Sequence, residues 1–143
     1  MNILITGVHG FVGSNLYSYL KSKYKIFGIG RNNKYSKLNH QNILSLEINK
    51  KSLKKINFQP DILIHCAGSG SVSKSLNNKK KDYKKNVLTS KYIINYLKEI
   101  KKKPKVIIFS SAAVYGNSAG KKQKKILPVS PYGVNKLKSE KIF

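Results

Sequence analysis

The sequence predicts an α/β protein in which a parallel sheet is covered by helices on both faces. Three observations carry this. Short apolar runs alternate with longer amphipathic stretches, the order that sets parallel strands between crossover helices. The apolar run at 62–66 suits a strand buried on both faces. Gly7, Gly10 and Gly13 gather where the first apolar run gives way to the first amphipathic stretch. The 143 residues are 40% hydrophobic and 10% aromatic, enough for one domain, 1–143, around one core, and too apolar for a disordered chain.

Each element follows from local pattern. Residues 2–6 form a first strand. Val12, Leu16 and Leu20 then recur every four residues with Tyr19 beside them, which predicts a helix over 10–22. Strands are expected at 26–29 and 43–46, a short polar helix at 50–56, and a fourth strand at 62–66 opened by Pro60 and Asp61. The stretch 81–100 reads as one helix apolar on two sides. Tyr83, Val87, Ile94 and Leu97 share one side, and Leu88, Tyr92 and Tyr96 the other. One side can pack on the sheet. The other meets either a second subunit or another part of the fold. A fifth strand at 106–109 follows Pro104, and a last helix begins near Ser130 with Pro131 in its first turn, where a missing N–H costs nothing.

The charge is lopsided: 29 basic residues against 5 acidic ones give +24, and Arg31 is the one arginine among 28 lysines. Such a surface attracts polyanions at low salt. A specific nucleic-acid partner is not expected, because the lysines are spread through every segment and base reading favours the planar fork of Arg. The clusters at 79–81, 101–103 and 121–125 read as solvated surface. The single Cys66 excludes an internal disulfide and fits a reducing compartment. The longest apolar runs, 62–67 and 106–109, fall far short of the roughly 20 residues that span a bilayer. No basic segment precedes an apolar one at the start of the chain. A cytoplasmic protein without a membrane partner is therefore expected. No cluster has metal-ligand spacing.

The glycine cluster carries the first functional signal. Gly7 can supply a tight turn, Gly10 lets the backbone approach a pyrophosphate, and Gly13 lets the helix close on the strand. Phe11 and Val12 complete a helix start whose N–H groups and partial positive charge face the phosphates. Dinucleotide sites commonly place an acid at the end of the second strand to hold the adenosine ribose. Here Arg31 stands there, which suits the 2′-phosphate of NADP or stacking on the adenine of NAD, so the cofactor stays open as NAD or NADP. Glu47, just past the third strand, is placed to contact the adenine amino group, with Ile48 beside it.

The second signal is Tyr132 and Lys136, four residues apart on one face of the last helix. Tyrosine titrates near 10 and is a poor base at neutral pH; a neighbouring ammonium stabilises its phenolate. Ser111 follows the fifth strand at the carboxyl edge of the sheet, where its hydroxyl could hold a reacting oxygen while Tyr132 takes the proton.

Gly7-x-x-Gly10-x-x-Gly13, Asn86-Val87, the run from Ser110 and Ser111 to Tyr115 and Gly116, and Tyr132-x-x-x-Lys136 occur in one order along the chain. Together they resemble the extended short-chain dehydrogenase/reductases, the NAD-dependent epimerase/dehydratase family that acts on nucleotide sugars. The resemblance runs the whole length and implies a Rossmann-type fold with Ser111, Tyr132 and Lys136 as the catalytic set. Tyr132 and Lys136 also touch the cofactor, Asn86 is an ordered helix residue near the site, and Ala67 lies against the cofactor. From the two-sided 81–100 helix, a homodimer through that helix and the last helix is expected. The family continues into a substrate domain, so the chain reads as the amino-terminal part of a longer enzyme.

Departures from the family pattern narrow the reaction. Cys66-Ala67-Gly68 has one Ala where two are usual, and the 121–125 loop is basic where an acid is usual. Sugar dehydratases carry Asp-Glu after the catalytic hydroxyl, decarboxylating relatives a Glu, and fucose-nucleotide epimerase-reductases a Cys. This chain has Ala112 and Ala113. The remaining match is to 4-epimerases: Tyr132 removes the 4-hydroxyl proton, hydride passes to the nicotinamide, and the keto sugar turns over and takes the hydride back. A nucleotide-sugar reductase or dehydrogenase using NADP is the alternative. A non-catalytic dinucleotide binder would keep the glycine loop but has no need of all three catalytic residues. His9 is expected to face solvent, His65 to be a satisfied structural residue, His40 to lie on the surface, and Cys66 to be a small buried apolar residue.

Overall fold

The computed structural model of the chain describes residues 1–32, 38, 40–122 and 125–143. Its elements run β1 (Asn2–Thr6), α1 (Phe11–Leu20), β2 (Lys25–Ile29), β3 (Ile43–Leu44), α2 (Lys50–Leu53), β4 (Ile62–His65), α3 (Val72–Asn77) and α4 (Lys79–Tyr83). A π-helical turn (Lys84–Leu88) leads into α5 (Thr89–Glu99). Then come β5 (Lys105–Ile108), a 3₁₀ segment (Ala112–Ser118) and α6 (Pro131–Glu140). They form two compact units: Met1–Ala67 with Tyr92–Ile108, and Gly68–Lys91 with Phe109–Phe143.

The first unit is a five-stranded parallel sheet in the order β3-β2-β1-β4-β5, the Rossmann-like arrangement the sequence predicts. Successive residues of a strand point to opposite faces, so the apolar strands supply two cores. Leu4, Ile29 and Leu63 pack on one face with Leu53, Ile93, Tyr96 and Leu97. Ile3, Ile5 and Ile64 pack on the other with Val8 and Tyr17. Leu4, Ile5 and Leu63 are fully buried, each contributing about 1.5–3 kcal/mol relative to exposure. The strand order reverses between β1 and β4, the switch point beside which open α/β sheets bind ligands.

The 81–100 stretch departs from expectation in part. It is helical without a break over 79–99, as expected, but the π-helical turn over 84–88 holds an extra residue per turn. That shifts the face that follows: Ile93, Tyr96 and Leu97, with Ile100 behind them, form the sheet-facing stripe. Tyr96, expected opposite Leu97, is buried beside it, while Ile94 is half-buried. The second unit adds α3, a helix that the sequence pattern does not predict. In it α3, α4, the π-helical turn and the 3₁₀ segment pack around α6. No helix among the described residues is long and apolar enough to cross a membrane.

Candidate active site

The first unit holds the residues predicted to form a phosphate loop. Gly7 turns the chain at φ +71°, in the left-handed region that favours glycine. A side chain there would also come within 2.6 Å of the Ala67 nitrogen, so Gly7 lets the carboxyl ends of β1 and β4 close together. Its N–H bonds the Ile29 carbonyl at 2.7 Å, and its carbonyl accepts from Gly10 N–H at 2.8 Å. A Cβ on Gly13 would collide with that same carbonyl, so glycine lets α1 descend onto the loop. The first backbone bond of α1 runs from Ser14 N–H to the Gly10 carbonyl, which leaves the Phe11, Val12 and Gly13 N–H groups at the helix start. No side chain caps that end and no acid lies in its first turn. An anion there would be met by N–H groups and the positive end of the helix dipole. Phe11 is 87% exposed.

Around this loop, Arg31 and Glu47 are exposed, whereas Ile48 is buried in the sheet core. Ala67 is half-buried at the end of β4. His9 corrects the reading of the sequence: it is only 4% exposed, and its Nε2 lies 2.9 Å from Ser45 Oγ. Burial pushes its pKa below the usual 6.5. His65 is the satisfied structural histidine expected, with Nδ1 2.6 Å from Thr6 Oγ1. His40 is exposed, and Cys66 is half-buried rather than buried.

The second unit holds the three proton-handling candidates. Ser111 caps the 3₁₀ segment in an extended conformation, its Oγ accepting from Ala113 N–H at 3.2 Å and keeping its own proton to donate. Tyr132 and Lys136 lie one turn apart on α6, both half-buried. The Lys136 ammonium donates to the Phe109 carbonyl, and Tyr132 N–H donates to Ser75 Oγ at 3.1 Å. Asn86 sits in the π-helical turn at 2% exposure, and both polar atoms of its amide are engaged: Oδ1 accepts from Ser69 N–H, and Nδ2 donates to Asp82.

Three residues of this unit were not singled out from the sequence. Gly133 brings α6 against the 3₁₀ segment, because a Cβ would strike the Ala113 carbonyl. Ser75 tethers the first turn of α6. Asp82 accepts from both Asn86 and Asn135. A glycine directly after Tyr132 and a rare acid in a lysine run were the only signals. Of the lysine cluster at 121–125, Gln123 and Lys124 lie outside the described residues; Lys121, Lys122 and Lys125 are exposed, as are 79–81 and 101–103.

Residues 3–143 match the NAD dependent epimerase/dehydratase family. The chain belongs to that family. It is 26% identical over 160 residues to a UDP-glucose 4-epimerase of Mycoplasma genitalium, covering 99% of this chain and 46% of that one. It is 30% identical over 171 residues to a dTDP-D-glucose 4,6-dehydratase of Dictyostelium discoideum, covering 96% and 38%. Among solved structures, the UDP-glucuronic acid 4-epimerase from Bacillus cereus, in complex with UDP-glucuronic acid and NAD, superposes with a TM-score of 0.77 at 27% identity, covering 99% and 51%. The family member described here thus spans about half the length of these relatives or less.

Proposed function

We propose that this family member carries the cofactor-holding and proton-handling part of a nucleotide-sugar 4-epimerase. The observation that carries the reading is the pair Ala112 and Ala113 after Ser111. With no acid there, Ser111, Tyr132 and Lys136 are the groups left to move a proton. The relatives include two 4-epimerases and one dehydratase, and a dehydratase has to expel water, for which those alanines offer no acid or base.

NAD fits the first unit, since the uncapped, acid-free start of α1 and the glycine-lined loop leave room and N–H groups for a pyrophosphate. Gly7, Gly10, Phe11, Val12 and Gly13 would hold the phosphates, Arg31, Glu47 and Ile48 would border the adenosine, and Ala67 would lie against the cofactor. Bound NAD would supply a hydride acceptor. Tyr132, as the phenolate that Lys136 stabilises, takes the proton from the sugar 4-hydroxyl and becomes the neutral phenol, while the Ser111 hydroxyl donates to the reacting oxygen. Asn86 acts through its neighbours, because its amide is already engaged. The second reading, an NADP-dependent reductase, rests on exposed Arg31, free to meet a 2′-phosphate. Pairing of two copies through the 81–100 stretch and α6 belongs to the same proposal.

Calorimetric titration with NAD⁺ and NADPH, repeated with Gly10→Asp, tests the cofactor reading. Binding weakened at least about tenfold by the new carboxylate beside the phosphates is expected, and the tighter cofactor decides the part played by Arg31. A folded chain that binds neither dinucleotide would overturn it. For the chemistry, Tyr132→Phe is expected to cut turnover of a UDP-hexose by about 10²–10⁴-fold, with dinucleotide affinity held within a few fold.

A further inference from the structure

The second unit buries one acid. Of five acidic residues in the chain, Asp82 alone is buried, at 3% exposure; Glu47 and Glu99 are exposed, Glu140 is half-buried, and Asp61 pairs with Lys102. In a chain with 28 lysines, none among the described residues pairs with Asp82. Its oxygens are met by amides. Asn86 Nδ2 donates to Oδ1 at 3.1 Å, and Asn135 Nδ2 donates to Oδ2 at 2.8 Å. Ser69 N–H holds the other end of the Asn86 amide at 3.1 Å. Asn135 is itself buried, and it sits on α6 between Tyr132 and Lys136.

This contact is directional. A carboxylate has nothing to donate and an amide nitrogen nothing to accept, so Asn135 can meet Asp82 in one orientation only. Turning α6 about its axis would strip a donor from a buried charge, which is costly. Two apolar residues would pack α4 on α6 as well, but they would tolerate rotation. Ser75 fixes the first turn of the same helix at Tyr132 N–H.

We propose that Asp82 is a positioning residue: by clamping Asn135 it sets the rotation of α6, and so where the Tyr132 hydroxyl and the Lys136 ammonium are presented. The functional half rests on the reading of Tyr132 and Lys136 as the proton-handling pair.

The test uses the 143-residue chain with ¹³C-labelled tyrosine rings, the Tyr132 signal being assigned with Tyr132→Phe. In Asp82→Asn and in Asn135→Ala the Tyr132 signal shifts or broadens, while those of Tyr17 and Tyr24 in the first unit hold. In the double variant Asp82→Asn with Asn135→Asp, which restores one carboxylate facing one amide, the Tyr132 signal returns. With NAD⁺ and a UDP-hexose, kcat falls at least about tenfold in each single variant at unchanged dinucleotide affinity, and the swap recovers it. A folded Asp82→Asn chain with Tyr132 unmoved overturns the proposal. Should that variant fail to fold, an unmoved Tyr132 in Asn135→Ala overturns it instead. A swap that restores the melting temperature but not the Tyr132 signal reduces Asp82 to a stability role and overturns it too. Turnover lost in Tyr132→Phe yet intact in Asp82→Asn overturns the positioning role alone, whereas turnover unaffected by Tyr132→Phe overturns the catalytic reading.

Discussion

His9 shows what burial does to a single residue of the glycine-rich loop. Its imidazole is held beside Ser45 and its pKa is pushed below 6.5 by burial. The unfolded chain, whose His9 titrates near 6.5, therefore takes up a proton before the folded chain does, so folding is disfavoured as the pH drops below that value. The melting temperature is expected to fall between pH 7 and pH 5, and His9→Gln to flatten that slope; an unchanged slope in the variant would place the effect elsewhere. None of this was legible in the sequence, because Ser45 lies 36 positions away and no local pattern announces it. The glycines were legible, since Gly7 and Gly13 answer to rules of local geometry. Asp82 was not, because its meaning depends on Asn135 in a distant helix. The candidate trio Ser111, Tyr132 and Lys136 could be named from its motifs, but not the Ser75 and Gly133 contacts that seat α6.

At the scale of elements, α6 has a strong start. Ser130 Oγ accepts from Gly133 N–H at 3.1 Å, and Pro131 occupies the first turn. Ser130→Ala is expected to cost about 1 kcal/mol, measured by urea denaturation, with the loss appearing in the midpoint rather than the slope. The helix and the Pro in its first turn were readable in advance. The 81–100 stretch was half readable. Its helical character follows from composition, but periodicity assumes 3.6 residues per turn, and the π-helical turn over 84–88 breaks that count before Ile93. Tyr96 and Leu97 both follow that turn, and neighbouring helix residues lie only about 100° apart, so the two flank Ile93 on one buried stripe rather than facing opposite ways. The short helix Val72–Asn77 was missed because its Ser- and Asn-rich sequence, VSKSLN, reads as a loop.

For the whole molecule, the alternation of strands and helices was enough to predict the parallel sheet, since each apolar run met the sheet as a strand. Self-association is the property to measure at this scale. In the second unit, Lys79, Lys80, Tyr83, Pro128, Pro131 and Val134 border an open cavity of about 540 Å³, part of the surface through which two copies are proposed to pair. Sedimentation is expected to show a dimer, weakened by Tyr83→Asp; a monomer at every concentration would remove that part of the proposal.

Among the described residues β5 has one neighbour, β4, so its outer row of N–H and C=O groups faces outward, and Ile107 beside them is 41% exposed. An open edge of that kind is a template on which another strand can add. What opposes such edge-to-edge addition between copies of these 143 residues, whether single or paired through α6, is their mutual repulsion at +24. Screening by salt removes that barrier within a Debye length of about 8 Å near physiological ionic strength. Added salt, which favours storage of many proteins, should here bring edges into reach of one another, making the colloidal stability of this basic chain greatest in dilute buffer.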